Sequence, residues 1–188
     1  AGAKVIVVSG PVSIPAPAGV EVIDVESAND MYTTVHQRIG EADVFIAAAA
    51  VADYQAADVS AGKIKKTAED LSIRLTRNPD ILASVTSLAE RPFTVGFAAE
   101  TSHLREYALG KLEKKNLDMI VANLVGKGRG FETDRNAVEV YWKGGEQSFP
   151  DNDKIALARD LAELIGRQYD AIKQEETEPE LPTIAVRD

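Results

Sequence analysis

Five short apolar runs, Lys4 to Val8, Val20 to Val25, Asp43 to Ala48, Phe93 to Ala98 and Met119 to Ala122, recur between segments of helical periodicity. They are rich in Val, Ile and Phe, and their near-continuous apolar character, without strict alternation, marks strands covered on both faces. Such strands alternating with helices imply a parallel sheet joined by crossover helices. The pattern predicts an α/β fold, Rossmann-like and doubly wound, with a mainly parallel sheet.

The helices have readable starts. Ser27 with Asp30 three residues on forms a capping box for a helix to about Ile39. Asn78 before Pro79 reads as an N-cap and first-turn proline opening a helix to about Glu90, and further helices are expected from about Ser102 to Lys115 and from about Asn152 to Ile172. Leu71 to Thr76 (LSIRLT) and Ala137 to Trp142 (AVEVYW) depart from the pattern. They alternate like half-exposed strands, and Lys143-Gly144-Gly145 reads as a hairpin turn. This small antiparallel element is expected at an edge where a partner subunit could pair. Residues 1–173 are read as one domain, and residues 174–188, rich in Glu and Pro, as a disordered tail.

Charge and composition narrow the function. The chain has 188 residues with 21 basic and 30 acidic side chains, a net charge of −9, which argues against nucleic-acid binding or attachment to an anionic membrane. No apolar run reaches the ~18 residues of a membrane span, and Ala1 to Gly10 lacks a signal-peptide pattern. The absence of cysteine fits a cytoplasmic location and excludes thiol chemistry. There is no G-x-S-x-G elbow, no H-E-x-x-H pair and no G-x-x-x-x-G-K-[ST] loop. The two histidines, His36 and His103, fall on predicted helices where packed or solvated roles are commonest. Gly126, Gly128 and Gly130 follow a strand without opening a helix, so they do not form a dinucleotide fingerprint.

The informative segment is Ala47 to Lys66. Ala47, Ala48, Ala49 and Ala50 end a predicted parallel strand and leave the main chain unshielded, so a flat ring or a phosphate could approach it. Tight helix-on-sheet packing is an equal explanation. Asp53 can accept from an exocyclic amine or cap a turn. Lys63, Lys65 and Lys66 place three positive charges within four residues, and Lys111 and Lys115 share a helix face at i,i+4. A solvated charge run and a salt-bridged face are the plain alternatives. Ala47–Ala50, Phe97–Glu100 and Asn123 nevertheless each end a different predicted strand, the edge where doubly wound sheets bind ligands. The helix opening at Pro79, Asp80 and Ile81 offers free N–H groups to an anion. The residues alone thus indicate a polyanion site, best suited to a nucleotide, and no reaction.

AAVADY (Ala49 to Tyr54), KIKK (Lys63 to Lys66), RNPDIL (Arg77 to Leu82), VGFAAET (Val95 to Thr101), KKNLDMIVAN (Lys114 to Asn123) and GFETDRNAV (Gly130 to Val138) occur in one order. Together they strongly resemble the phosphopantothenoylcysteine synthetase family, the carboxyl-terminal half of the bacterial bifunctional coenzyme A biosynthesis flavoproteins. The resemblance covers about residues 4 to 170. It implies a CTP-dependent ligase in which the carboxylate of 4′-phosphopantothenate attacks the α-phosphate of CTP, and the amine of L-cysteine then displaces CMP. The CTP contacts it implies are Ala47, Ala48, Ala49, Asp53, Lys63, Pro79, Asp80, Ile81, Leu82, Phe97, Lys111 and Lys115, with Lys63 catalytic. It implies Mg²⁺ held mostly by nucleotide and water, a homodimer, and fusion to a flavin-dependent decarboxylase; no FMN is expected on these residues. The resemblance further implies a preceding strand, a glycine-containing loop and a helix with an N-H-S-S-G-K-M-G segment tied to the second half-reaction, which these residues lack. A catalytically incomplete nucleotide-binding or dimerisation module is therefore the alternative expectation.

Overall fold

The computed structural model describes residues 2–60, 62–64, 71–125 and 134–177. They are mixed α/β and fall into two compact units, one of residues 2–97 and 111–118, the other of residues 98–110 and 119 onward.

The first unit begins with β1 (Ile6–Ser9), paired in parallel with β2 (Glu21–Asp24). The Pro-rich connector between them contains no helix. Helix α1 (Ala28–Arg38) starts at the expected capping box: Asp30 N–H donates to Ser27 Oγ, and the Asp30 carboxylate accepts the Ser27 N–H. This satisfies two N–H groups that the first turn leaves without helical partners. At its far end Arg38 ion-pairs with Glu21 on β2 and with Glu41. A short 3₁₀ turn leads to β3 (Val44–Ala47), which pairs in parallel with β6 (Phe93–Glu100). Val35, Ile81 and Val85 form one core cluster of this unit, backed by Val8, Met31, Tyr32, Ile39, Phe45 and Val51.

Gly96 lies opposite Ala47 in that register. A Cβ there would stand 2.8 Å from Leu117 Cδ1 and 3.0 Å from Leu82 Cδ2, so the close approach of these leucines to β6 requires glycine. Two short strands, β4 (Tyr54–Ala56) and β5 (Leu75–Arg77), pair antiparallel. Of the expected strand Leu71 to Thr76 only Leu75 and Thr76 fall in β5; residues 71–74 lie outside it, and Tyr54, expected in a loop, begins the partner strand.

Helix α2 (Ile81–Thr86) corrects the sequence reading in two ways. Its N-cap is Asp80, whose carboxylate accepts the Ala83 N–H, and not Asn78. It also stops well short of Glu90. Ser84, Thr86 and Ser87 hydroxyls bond back to carbonyls three or four residues earlier, competing with the backbone ladder, and Pro92 disfavours helix at the residue before it.

Helix α3 (Leu104–Lys114) begins later than Ser102 because His103 takes a left-handed φ of 49°; His103 therefore precedes the helix. The helix ends at Asn116, φ 50°, with Leu117 N–H closing onto Leu112 O at 2.9 Å, a left-handed termination that asparagine tolerates. Asp118 then accepts four hydrogen bonds: from Arg91 Nη1 and Nη2, from the Thr94 N–H and from Thr94 Oγ1.

The second unit contains β7 (Met119–Leu124), β8 (Arg135–Trp142) and β9 (Gly145–Asp153), joined antiparallel in that order. Lys143 and Gly144 form the expected turn, Gly144 at φ 90°. Strand β9 was not foreseen: its polar alternation and Pro150 suit an edge, where a missing N–H is tolerated. The antiparallel share of the fold is correspondingly larger than the apolar runs imply. Helix α4 (Lys154–Thr177) runs four residues into the stretch read as disordered from Gln174, because Gln174, Glu175 and Glu176 are good helix formers. Residues 178–188, Lys65, Lys66 and the Gly126, Gly128 and Gly130 cluster lie outside the described residues.

Candidate functional site: a cleft at the strand ends

A cleft of about 1520 Å³ lies within the first unit. At one end it is bounded by the Ala47–Ala49 main chain, Val51 to Asp53, Arg77 to Ala83, Phe97, Lys111, Lys114 and Lys115. Ala48 and Ala49 are exposed, so the carboxyl end of β3 presents backbone N–H and C=O groups with little side-chain cover. Phe97, 40% exposed within β6, offers an aromatic face. These are the parts a planar heterocycle needs: a flat apolar surface and polar main chain at its edge.

Asn78 organises the loop after β3. Its backbone N–H donates to Asp53 O and its Nδ2 to Ala52 O, each at 2.8 Å, while its buried Oδ1 has no hydrogen-bond partner among the described residues. Turning the amide over would set Oδ1 against the Ala52 carbonyl, so the orientation is fixed by its donor side. Asp53 itself is exposed.

The positive charges come from α3, the turn after it and the end of β5. Lys111, Lys114, Lys115 and Arg77 line the cleft in a chain of net charge −9. Lys115 Nζ lies 2.8 Å from Asp80 Oδ2. Burial works to raise the Asp80 pKa, yet the hydrogen bonds from Lys115 and from the Ala83 N–H, with the charges of Lys115 and Arg77, outweigh it and hold the carboxyl below its ordinary value. At the start of α2 the Asp80 carboxylate thus takes up the Ala83 N–H, one of the donors expected from sequence to face an anion.

Of the residues singled out by sequence, Ala47, Ala48, Ala49, Asp53, Pro79, Asp80, Ile81, Leu82, Phe97, Lys111 and Lys115 all line this cleft. Lys63 does not; it is exposed, between β4 and β5. Arg77 and Lys114 were missed as cleft cations although each stands beside a residue that was chosen. His36 is a packed helix residue: its Nε2 is 2.8 Å from Ser84 Oγ and its ring contacts Tyr32. No group of three His, Asp or Glu side chains converges as a metal cage among the described residues. No helix among them is long and apolar enough to cross a membrane.

The structure is thus an α/β domain with an open, cation-lined cleft, and comparison with known proteins narrows its family. Residues 1–168 match the DNA/pantothenate metabolism flavoprotein C-terminal domain, and the chain belongs to that family. It is 48% identical over 168 residues to the coenzyme A biosynthesis bifunctional protein CoaBC of Vibrio vulnificus, covering 87% of this chain and 42% of the relative. It is 44% identical over 174 residues to that of Escherichia coli, covering 90% and 43%. The chain thus spans less than half the length of these relatives. Among solved structures, the C-terminal domain of a CoaBC protein superposes with a TM-score of 0.74 at 34% identity, over 90% of this chain and 76% of that one. A Cab2 H337A variant in complex with phosphopantothenate-cysteine shares the fold, with a TM-score of 0.61 at 19% identity, over 84% of this chain and 56% of that one.

Proposed function

We propose that this chain carries the phosphopantothenate–cysteine ligase chemistry of coenzyme A synthesis. In that reaction the carboxylate of 4′-phosphopantothenate attacks the α-phosphorus of CTP and expels pyrophosphate. The cysteine amine then attacks the acyl carbon of the acyl-cytidylate, CMP leaves, and the amine loses a proton as the amide forms. The observation that carries this reading is that every expected CTP contact except Lys63 lines one cleft. Family membership and the kinship with CoaBC proteins support it.

The residues divide the work. The Ala47–Ala49 main chain and Asp53 read the cytosine edge, Phe97 supports the ring, and Lys111 and Lys115 take the phosphates. Lys63 neutralises charge that develops during transfer, in a reaction where positioning and electrostatics supply most of the rate. Mg²⁺, when bound, would offset pyrophosphate charge, and the family resemblance implies that nucleotide and water would hold most of it. No FMN site is proposed on these residues.

The assay is formation of product from CTP, 4′-phosphopantothenate and L-cysteine by the chain within its longer parent protein, with pyrophosphate release followed separately. Neither product nor pyrophosphate would reject the reading. The position of Lys63 outside the cleft lining favours a second reading for the 188 residues alone, nucleotide binding without turnover. CTP binding without pyrophosphate release by the isolated chain supports that reading. We further propose a homodimer formed through the β4–β5 arm, where Val59, Ile64, Leu71, Ile73 and Leu75 are exposed together in one stretch of chain. Sedimentation of a Leu71→Asp, Ile73→Asp variant should show the monomer. A location in the cytoplasm and fusion to a flavin-dependent decarboxylase complete the proposal.

A further inference from the structure

Three lysines line the cleft from the electrostatically unfavourable end of a helix. Lys111 and Lys114 belong to the last turn of α3 and Lys115 follows it, where the peptide dipoles present partial negative charge. An anion is held there only if ammonium groups, and not terminal carbonyls, face it. The Asn116 and Leu117 N–H groups fold back onto Glu113 O and Leu112 O, at 3.0 and 2.9 Å, and take up two of those carbonyls. What then matters is how firmly this turn is placed.

The contact between Lys115 and Asp80 places it weakly, because both side chains are partly exposed. A stronger tether lies three residues on, at Asp118. Phe93 N–H donates to Asp43 O beside β3, so the N–H and C=O of the next residue, Thr94, point away from β3. Thr94 is fully buried, and both of its main-chain groups meet Asp118. Its N–H donates to Asp118 Oδ2 at 2.7 Å, and its C=O accepts the Asp118 N–H at 3.2 Å. A side-chain carboxylate thus takes the part of a strand carbonyl.

Arg91 closes on the same group, Nη2 to Oδ1 at 2.9 Å, and its Nη1 also donates to Thr94 Oγ1 at 3.0 Å. The two oxygens of Asp118 accept four hydrogen bonds in all, the full capacity of a carboxylate. With 24% and 16% of the side chains exposed, the Arg91–Asp118 pair is largely withdrawn from water, where a saturated network admits one good geometry. One residue earlier, Leu117 packs against Gly96. Leu117 and Asp118 together register the end of α3 on β6, the strand that also carries Phe97. Neither Asp118 nor Arg91 lines the cleft, so any effect of theirs on a ligand acts through other residues.

We propose that Asp118 is a positioning residue of the phosphate site. By tying the last turn of α3 to Arg91 and Thr94 it sets where the Lys111 and Lys115 ammonium groups stand, and hence the affinity for a pyrophosphate-type polyanion, while the base end of the cleft is left unchanged. The proposal rests on the reading of those two lysines as phosphate contacts.

The test compares the chain with Asp118→Asn and Asp118→Ala, well below their melting temperatures, by calorimetric titration of inorganic pyrophosphate and ligand-observed NMR titration of cytidine. Asp118→Asn keeps an acceptor for Thr94 and loses the charge that holds Arg91; Asp118→Ala loses both. Pyrophosphate affinity should fall several-fold in the first and about tenfold in the second, as when one charge-assisted contact is drawn out of reach, with cytidine affinity within about twofold of the parent. Leu164→Ala, a cavity in the second unit, should lower stability and leave both affinities unchanged, which separates positioning from loss of stability alone. In the Lys115→Gln background the effect of Asp118→Asn should shrink, since one of the cations it places is gone. Unchanged pyrophosphate affinity in both Asp118 variants, a matching loss of cytidine affinity, or an undiminished effect in the Lys115→Gln background would each overturn the proposal. Failure of the unsubstituted chain to bind pyrophosphate at all would instead reject the phosphate-site reading, and the proposal with it.

Discussion

Lys115 Nζ and Asp80 Oδ2 stand 2.8 Å apart, and the same carboxylate caps α2 through the Ala83 N–H. One acidic group thus holds a helix start and a cation of the proposed phosphate site, and the two roles separate by substitution. Asp80→Asn keeps a good N-cap but releases Lys115. Isothermal titration should show several-fold tighter pyrophosphate binding for Asp80→Asn, and about tenfold weaker binding for Lys115→Gln, the loss of a charge-assisted contact. In the Lys115→Gln background Asp80→Asn should have no effect; an additive effect would remove Lys115 from the argument.

The lowered Asp80 pKa makes a second prediction, read by pH. A carboxyl whose folded pKa lies below its unfolded value, about 3.9, stabilises the fold above that value and loses the contribution as pH falls through the folded pKa. The pair is half exposed, so the effect is modest, about 0.2–1 kcal/mol. Denaturant melts of the chain and of Asp80→Asn should differ at pH 6, and the gap should narrow as the pH is lowered below the ordinary carboxylate range. A gap that stays constant as the pH falls would point to some other cause.

Asn78 predicts a change in selectivity with little change in stability. Asn78→Ala loses the bond to Ala52 O, worth about 1 kcal/mol, and also removes an unpaired buried acceptor, so the two effects oppose each other. The melting temperature should barely move. If the Ala52–Asp53 loop reads the base as proposed, preference for CTP over UTP should fall several-fold in calorimetric titrations. Retained preference would show that the loop holds its shape without Asn78.

Asp118 predicts the opposite pattern. It is 16% exposed and accepts from Arg91 and Thr94, so Asp118→Ala strands the Arg91 guanidinium. Breaking a largely buried pair costs about 3 kcal/mol, or roughly 6–12 °C in melting temperature at this chain length. Asp118→Asn should fall between the two. Calorimetry decides, and a loss below about 1 kcal/mol would mean that Arg91 finds water.

Lys63→Gln in the longer parent should slow acyl-cytidylate formation on the order of 10²–10³, with Lys66→Gln close to the parent. Rapid-quench measurement of the first turnover separates them. Equal rates would return the whole lysine run to the solvent.

How far sequence could read this molecule is visible at particular residues. Ser27 and Asp30 announced α1 because both halves of a capping box are local. The end of α2 was invisible, since Asn78, Asp80, Ser84 and Ser87 can each bond to nearby backbone and only the packed structure decides which do. Strand β9 was missed because its polar alternation becomes a strand only beside β8. At the candidate site, Ala47 ends β3, Asp53 follows in the loop before β4, Phe97 lies within β6 and Lys111 within α3, and sequence spacing sufficed to choose four residues that line one cleft of the first unit. Lys63 marks the limit, because the reach of a side chain between β4 and β5 is not written in its spacing.

Gly96 offers no functional group, yet it sits opposite Ala47 with Leu82 and Leu117 pressed against its bare Cα. A side chain there would meet Leu82 Cδ2 and Leu117 Cδ1, which would have to give way. Because Leu82 itself lines the cleft, an atom missing from β6 sets the room on the cleft's wall. In a library of all single substitutions assayed for nucleotide binding, Gly96 should tolerate less change than a residue outside the cleft lining ordinarily does.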